Sequence, residues 1–489
     1  MTAADALDAP PARRVARNTA LRAAAEVLGK FATLALTWVM IAKLGIDASG
    51  QFAYALTISQ LYWPIAGFGL DRLMLREIAA DPKRTAVLVP QLNAFKLVVG
   101  LICALVGTLF VAATRGEGIV TSITLILSLS LVATLLGATA QNVFMARERM
   151  EDYFLAALPV KVLSAVLGVA VLVLGGGLIA VGFTSLIAAI LGIGIGWWIL
   201  GRRYHQPPAR LDLRVRGWAP LLRASGPWGL QEVFGQITFR FGFIVLFMTA
   251  TDRIAGEYRV AYQLLEATLF LPWSIASSVL PLVARSQRGA SNGDEPPLET
   301  ITRSAIELVL ALMLPIAVIL GLCATAVMGL YPDEALPAAA FMPLLAAASV
   351  IYGVGHIAGI VALSHLPGRR TVEIMAVTAT FSVIAVLLLV PAYGGKGAAI
   401  AALSTETVLT VLSLALAIRA AGPHVLLGMV STGMVAAACM AAAVYPFRDQ
   451  LPLAVLVGGS VYAVVLLTLE YRRQGATWAL MRSMVPGSR

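Results

Sequence analysis

The chain has 489 residues, of which 59% are hydrophobic and only 13% are charged, and its mean hydropathy is +0.86. A soluble globular domain is typically about 25% charged, so this composition excludes a water-soluble fold and predicts a protein that is solvated by lipid. Three isolated cysteines and four scattered histidines exclude a disulfide framework and a clustered metal site, and no cofactor motif is present. The net charge of +10 does not indicate a nucleic-acid partner, because the basic residues follow a membrane topology.

Apolar runs long enough to cross a bilayer recur along the whole chain. A span needs roughly 20 apolar residues to cross about 30 Å of hydrocarbon. Fourteen such runs lie at about 20–43, 50–70, 87–113, 119–145, 155–175, 178–200, 222–248, 256–283, 304–330, 338–363, 372–391, 397–418, 424–444 and 452–470. They predict an all-α polytopic membrane protein with about 14 transmembrane helices. The polar stretch before the first run lacks a signal-peptide pattern, so we expect the first span itself to direct insertion.

Lysines and arginines are distributed unequally between alternate loops. With the N-terminus inside, 26 of the 36 basic residues lie in loops that face the cytoplasm and 6 lie in loops on the opposite side. This asymmetry follows the positive-inside rule and predicts that both termini are cytoplasmic. The remaining four basic residues fall inside spans, namely Lys30, Lys96, Lys161 and Arg240.

A segment of the first span recurs in the seventh. Glu26-Val27-Leu28-Gly29-Lys30 returns as Glu232-Val233-Phe234-Gly235-Gln236, and the same offset of 206 residues relates Gly50-Gln51-Phe52 to Gly256-Glu257-Tyr258. The repeat predicts two six-helix lobes in parallel orientation followed by two extra C-terminal helices, and parallel repeats around a central cavity are a transporter architecture. The predicted domains are an N-terminal tail (1–19), an N-lobe (20–200), a linker (201–221), a C-lobe (222–418), two extra spans (419–470) and a C-terminal tail (471–489).

Several short motifs, taken in order, resemble one transporter family. They are Gly67-Phe68-Gly69-Leu70 with Arg76-Glu77, Ala146-Arg147-Glu148-Arg149-Met150, Gly256-Glu257-Tyr258 with Ala261-Tyr262, Leu280-Pro281-Leu282-Val283-Ala284-Arg285, and Gly394-Gly395-Lys396-Gly397-Ala398. Together they resemble the polysaccharide-transporter (Wzx-like oligosaccharide flippase) branch of the multidrug/oligosaccharidyl-lipid/polysaccharide exporter superfamily. The resemblance covers nearly the whole chain. Many members carry Arg-x-Asp in span seven, whereas this chain has Arg240-Phe241-Gly242, without the acid.

The resemblance implies a non-enzymatic exporter. It implies a bacterial cytoplasmic-membrane protein that translocates a polyprenyl-diphosphate-linked oligosaccharide for polysaccharide biosynthesis by alternating access. The implied partners are the lipid-linked substrate, the bilayer, other polysaccharide-assembly proteins and a coupling ion that is either a proton or sodium. Two alternatives remain open: a cation-coupled small-molecule or multidrug antiporter of the same superfamily, and a lipid II flippase. A major-facilitator carrier is disfavoured, because the loop after span two has Asp71-Arg72 but lacks the glycine and the basic pair that would follow. A membrane-embedded glycosyltransferase or polymerase is disfavoured, because the outer loops are too short.

Two polar stripes mark the candidate binding residues. An ionisable side chain at the centre of a span costs at least ~2.5–3.5 kcal/mol, so each one needs a reason to be there. In span one, Glu26 and Lys30 share a face with Thr33 and Thr37, and in span seven Glu232, Gln236 and Arg240 do the same. Arg240 and Lys30 are the cations expected to bind the diphosphate. The alternative is structural: Glu26 and Lys30 pair within one helix, and Arg240 pairs with Glu232.

Other polar residues inside the predicted spans are expected to have different roles. Gln263 and Glu266 in span eight are candidates for the cavity lining or for ion coupling. Glu307, Glu373 and Glu406 lie near the ends of the predicted spans, where we expect solvated carboxylates. Lys96 and Lys161 are expected to extend along their helices to the cytoplasmic surface. His356 is either a proton sensor or a histidine satisfied within the membrane.

Overall fold

A computed structural model describes residues 11–116, 118–204, 211–287, 297–365, 368–428 and 432–473. In these ranges all regular secondary structure is helical, with short 3-10 turns between α-helices. The α-helices are α1 (Pro11–Leu44), α2 (Ile46–Leu61), α3 (Trp63–Gly67), α4 (Leu70–Ala80), α5 (Thr85–Arg115), α6 (Ile119–Ala146), α7 (Met150–Val173), α8 (Leu178–Tyr204), α9 (Trp218–Thr249), α10 (Asp252–Thr268), α11 (Phe270–Gln287), α12 (Leu298–Leu322), α13 (Ala324–Met328), α14 (Met342–His365), α15 (Gly368–Ala421), α16 (Thr432–Val444) and α17 (Leu451–Arg473).

Thirteen of the fourteen predicted spans coincide with a helix, a broken helix pair or half of a bent helix, and the predicted span at 424–444 matches α16 only from Thr432 onward, since residues 429–431 lie outside the described residues. The pairs are α2 with α3, α10 with α11, and α12 with α13, while spans eleven and twelve are the two arms of α15. In the described part of the chain, 9 helices are long and apolar enough to cross a membrane by length and composition. The all-α polytopic fold is therefore confirmed.

The bend in α15 is made by glycine. Gly394 has φ 55 and ψ −130, a conformation that an L side chain rarely adopts. A Cβ on Gly397 would lie 2.0 Å from the carbonyl oxygen of Leu389, eight residues earlier. Residues at that spacing in a straight helix would be about 12 Å apart, so the chain reverses direction here. The Gly-rich motif at 394–397 is thus a tight turn between two antiparallel spans.

The chain divides into two compact units, residues 1–256 and 257–489. The first has two apolar clusters: α1, α2, α6, α7 and α8 form one, and α4, α5, α6, α7 and α8 form the other. The core of the second lies among α11, α12, α14 and α15. The division falls within α10, so span seven (α9) lies in the first unit, next to α2 and α4. The two six-helix lobes with a linker at 201–221 stay a prediction.

Two glycines related by the sequence repeat meet inside the first unit. A Cβ on Gly50 would lie 2.2 Å from the carbonyl oxygen of Asp252, and a Cβ on Gly256 would lie 2.5 Å from the carbonyl oxygen of Ile46. No side chain fits between these backbones. Both members of this repeated position are glycine because α2 and the start of α10 are in backbone contact.

The orientation of the chain is tested by cysteine labelling. After replacement of the three native cysteines, we expect a cysteine at Lys83 or Arg214 to be protected from an impermeant maleimide in intact cells, because the positive-inside rule places these exposed loops in the cytoplasm. Cysteines at the exposed positions Glu334 and Asp449 should be labelled. Labelling of all four after the cells are opened is the control. Labelling at Lys83 in intact cells would contradict the predicted orientation.

Candidate functional site

The polar stripe of span seven lies on a stretch of α9 that is only loosely packed. Residues 231–242 are all half-buried, whereas residues 243–247 just after them are buried. Glu232, Gln236 and Arg240 lie one turn apart on this stretch, and Oε1 of Gln236 is enclosed without a hydrogen-bond partner. An amide oxygen in this situation can accept a hydrogen bond from a ligand. The segment thus offers polar groups at positions that the core does not use.

Glu232 forms an ion pair with α4. Its Oε1 lies 3.3 Å from Nε of Arg72, and both side chains keep part of their surface exposed. The approach of α4 to α9 depends on the junction before α4, where Phe68 and Gly69 adopt left-handed backbone conformations. A Cβ on Gly69 would lie 2.6 Å from the backbone nitrogen of Gly229 on α9. The Gly-Phe-Gly motif therefore fixes the short amphipathic helix α4 against α9.

Asp71, the residue before Arg72 on α4, forms an ion pair with Lys96. Nζ of Lys96 lies 2.5 Å from Oδ1 of Asp71, 3.0 Å from Oγ1 of Thr139 and 3.4 Å from the carbonyl oxygen of Leu135. The Lys96 side chain is 0% exposed. The prediction that Lys96 extends to the membrane surface is wrong, because α4 and α6 enclose its ammonium group and supply an anion.

Consecutive residues Asp71 and Arg72 thus connect α4 to two sides of the first unit. Asp71 binds Lys96 on α5, and Arg72 binds Glu232 on α9. Sequence reasoning did not identify this pair as part of a site. The available signal was an acid and a base side by side between two apolar runs, but their partners lie far away in the chain and only the tertiary structure brings them together.

On α1, Lys30 is half-buried, and among the described residues its ammonium makes no ion pair or hydrogen bond. Thr33 and Thr37 donate their hydroxyl hydrogens to carbonyl oxygens one turn back in the same helix, at 2.9 and 3.1 Å. The side chain of Glu26 lies outside the described residues. Lys161 on α7 is exposed, and its stem lies beside Gly29. Lys30 and Arg240 are not joined by a hydrogen bond.

The candidates in span eight belong to the second unit. Glu266 accepts a hydrogen bond from Arg259 at 2.9 Å, and both side chains are largely buried, at 17% and 12% exposed. Its charge is therefore compensated within α10. Gln263 lies between them in sequence and is 5% exposed, with neither amide atom hydrogen-bonded to a described residue. An unsatisfied buried polar group costs about 1–3 kcal/mol of stability. Stability therefore does not explain a glutamine at position 263, and Gln263 stays a candidate for function.

The remaining acidic candidates differ in their surroundings. Glu373 is exposed and lies 3.2 Å from Arg369, as expected for a solvated carboxylate. Glu307 lies 3.0 Å from Arg303 and is largely covered. Glu406 is only 8% exposed, so the expectation that it is solvated is wrong. The reason is that α14 packs closely against this arm of α15: a Cβ on Gly355 would lie 2.3 Å from Oγ1 of Thr410.

The described residues contain no group of three or more His, Cys, Asp or Glu side chains that could hold a metal ion. Unit 1 instead provides cationic and hydrogen-bonding side chains on α1 and α9. Such groups can bind an anion with polar substituents, because charge-assisted hydrogen bonds are strong where water is scarce.

Comparisons with known proteins were made at the level of family, curated sequence and structure. A family model described as polysaccharide biosynthesis protein matches residues 15–287. No curated protein matches. The solved structure of the lipid II flippase MurJ in an inward closed conformation is similar, with a TM-score of 0.73, 14% identity, and coverage of 94% of this chain and 99% of that one.

Two further structures share the fold. A multidrug resistance MATE family transporter of the MOP superfamily, in an inward-facing conformation, has a TM-score of 0.61 and 15% identity, and the match covers 82% of this chain and 95% of that one. A MOP superfamily transporter from Pyrococcus furiosus Vc1, described as having a binding pocket of reverse polarity, has a TM-score of 0.58 and 15% identity, with the same coverage.

The buried pair on α4 yields a stability prediction. Lys96→Met should lower the free energy of unfolding by about 3 kcal/mol, the lower end of the range for a broken buried pair, since Asp71 keeps 25% of its side chain exposed. The Asp71→Asn/Lys96→Met double variant should recover most of this loss, because no unpaired charge remains. Unfolding of the purified protein in micelles measures both.

Arg369→Met is the matched control, because it removes one partner of an exposed pair. It should leave the unfolding free energy almost unchanged. A double variant at 71 and 96 that is as unstable as Lys96→Met alone would show that the charge pairing is not what matters.

Proposed function

Because the chain belongs to the polysaccharide biosynthesis protein family, matched over residues 15–287, we propose that it is a flippase for a polyprenyl-diphosphate-linked oligosaccharide. It carries this substrate across the cytoplasmic membrane by alternating access. The observation that supports the substrate class most directly is the half-buried polar stretch of α9, which presents Arg240 and the enclosed, partnerless amide oxygen of Gln236.

The diphosphate is the part of the substrate that the cations recognise. A diphosphate must leave water to cross the membrane, and in a low dielectric only nearby positive charge offsets that loss. Arg240 contributes a planar guanidinium that can make two parallel hydrogen bonds to phosphate oxygens, and Lys30 contributes a point charge. Lys30 forms no ion pair with a described residue, and we propose that its charge serves the ligand.

The sugars need hydrogen-bonding groups rather than charge. Gln236, one turn before Arg240, has an enclosed oxygen that can accept a hydrogen bond from a sugar hydroxyl. Glu232 continues the stripe, and its ion pair with Arg72 leaves part of its surface exposed. Glu26, Gln263 and Glu266 complete the proposed set of cavity and coupling residues. In this proposal, different side chains of the α9 stripe bind the diphosphate and the glycan.

The proposed transport cycle also involves the lobes, the membrane and the partners of the protein. The two predicted six-helix lobes would rock about the substrate site, and the termini would both face the cytoplasm. The protein is a multi-pass membrane protein, and we propose the bacterial cytoplasmic membrane as its location. Its proposed partners are the lipid-linked substrate, other polysaccharide-assembly proteins and a coupling ion.

A second candidate substrate is lipid II. It is favoured by one observation, the similarity of fold to the lipid II flippase MurJ over 94% of this chain. At 14% identity this similarity bears on the fold alone. The multidrug antiporter reading has weaker support, because a cavity for cationic drugs would be dominated by acids, whereas α1 and α9 each carry a basic residue in their polar stripe.

The diphosphate role predicts the effect of removing Arg240. Arg240→Ala should abolish polysaccharide export while lipid-linked repeat units accumulate on the cytoplasmic side. Loss of one partner of a buried charged contact costs ~2–5 kcal/mol, and at ~1.4 kcal/mol per tenfold this is an affinity loss of roughly 30-fold or more. Arg240→Lys should restore export only in part, since it supplies charge without the bidentate geometry.

Two variants serve as controls for this experiment. Arg369→Ala removes an exposed arginine and should export normally. The Glu232→Ala/Arg240→Ala double variant addresses a purely structural pairing. Because Glu232 already has Arg72 as a partner, we expect the double variant to fail like Arg240→Ala. Normal export by the double variant would contradict a role of Arg240 in substrate binding.

A complementation experiment distinguishes between the two candidate substrates. We expect the chain to restore surface polysaccharide in a host that lacks its own oligosaccharide flippase and whose glycosyltransferases are expressed alongside. It should not restore growth in cells depleted of their lipid II flippase. Restored growth there, with Arg240→Ala as the inactive control, would assign lipid II instead.

A further inference from the structure

The second unit contains a buried group of polar side chains that the substrate site does not use. It consists of Trp273 on α11, Tyr352 and His356 on α14, and Glu406 on the second arm of α15. Nε1 of Trp273 donates a hydrogen bond to the Tyr352 hydroxyl at 2.7 Å, and this hydroxyl lies 3.4 Å from Nδ1 of His356. The rings of Trp273 and Tyr352 both stack on the imidazole, with centroids at 5.7 and 5.4 Å.

Glu406 is the residue of this group without a compensating charge. It is 8% exposed, and its Oε2 is enclosed with no hydrogen-bond partner among the described residues. A neighbouring group on which its charge acts is the Tyr352 hydroxyl. An isolated carboxylate in a low-dielectric interior is very costly, and the carboxyl avoids this cost by taking up a proton. Other intramembrane acids of the chain solve the same problem differently: Asp71 and Glu266 each have a basic partner.

The charged groups on the elements around Glu406 either have other partners or, like Lys396 and Arg419 of the same arm, lie ten or more residues away in sequence. On α12, Arg303 pairs with Glu307, and Glu299 binds His424. On α15 itself Glu373 pairs with Arg369. On α14 the titratable group on which the Glu406 charge acts is Tyr352. Within the described residues, no cation neutralises the Glu406 carboxylate.

The three titratable side chains are covered to different degrees: His356 is half-buried, whereas Tyr352 and Glu406 are 7% and 8% exposed. A metal ion is less suited to the site, because only one carboxylate and one hydroxyl are present and the hydroxyl already accepts a hydrogen bond from Trp273.

We propose that Glu406 is a proton-binding site of the second unit. For release, the Glu406 carboxyl gives its proton to a water molecule that reaches it in another conformation of the protein, so that Glu406-COOH and H2O become Glu406-COO⁻ and H3O⁺. The charge that appears within the core on release favours a conformation in which water or a donor reaches Glu406.

This proposal deepens the proposed function, since it assigns the coupling ion as a proton, but the site itself does not depend on the substrate. Infrared difference spectra between acidic and alkaline pH, recorded on purified protein in lipid nanodiscs without substrate, report it directly. A protonated carboxyl away from water absorbs at a higher carbonyl frequency than one exposed to water. We expect one such band in the wild type and its complete loss in Glu406→Gln.

The matched control is Glu373→Gln, which alters an exposed acid of the same helix and should keep the band. Glu406→Asp should keep a band at a shifted frequency, so the test survives if Glu406→Gln does not fold. A band unchanged in Glu406→Gln, or absent from the folded wild type, would overturn the proposal.

A cross-comparison distinguishes failure of this site from failure of the substrate proposal. Arg240→Ala should lose export and keep the infrared band, whereas Glu406→Gln should lose both the band and the response of export to the proton gradient. If Arg240→Ala exports normally while the band behaves as expected, the substrate assignment is wrong and the proton site stands.

Discussion

Charge inside an apolar solvent is the constraint on which this structure depends. Lipid offers no water to hydrogen-bond a backbone amide or to solvate an ion, so the chain must satisfy both internally. The backbone does so by forming helices, the one kind of regular secondary structure in the described residues. The side chains do so by pairing: Lys96 with Asp71, and Arg259 with Glu266. Each of these pairs also fixes one segment relative to another, or stiffens the helix that carries it.

Polar groups that escape this pairing are the ones to which function is assigned. Lys30 has no ion pair among the described residues, Gln236 keeps an enclosed oxygen without a partner, and Glu406 is a buried acid with no cation nearby. We propose that the first two bind an anionic, hydroxylated substrate and that Glu406 responds to protons. Separating the two tasks between the two units would allow substrate binding and proton release to be linked without sharing a side chain.

Glycine determines where these helices touch and turn. At Gly50 and Gly256 a methyl group would collide with a carbonyl oxygen of the neighbouring backbone, and at Gly394 the backbone angles themselves require glycine. The left-handed step at Phe68 and Gly69 directs α4 toward α9, which places Asp71 and Arg72 beside their partners. Motifs that look like family signatures in the sequence are thus positions of close backbone approach.

The sequence by itself determined the helical class, the position of each span and the polar face of α9, because hydropathy and the period of a helix are local properties. It also located the turn at 394–397. Only the tertiary structure decided how charges are compensated. Lys96 was expected at the surface and is buried against Asp71, and Glu406 was expected in water and is enclosed by α14. Distance from a span end along the chain does not reveal which neighbouring helix covers a side chain, and that cover decides whether its charge is solvated, paired or protonated.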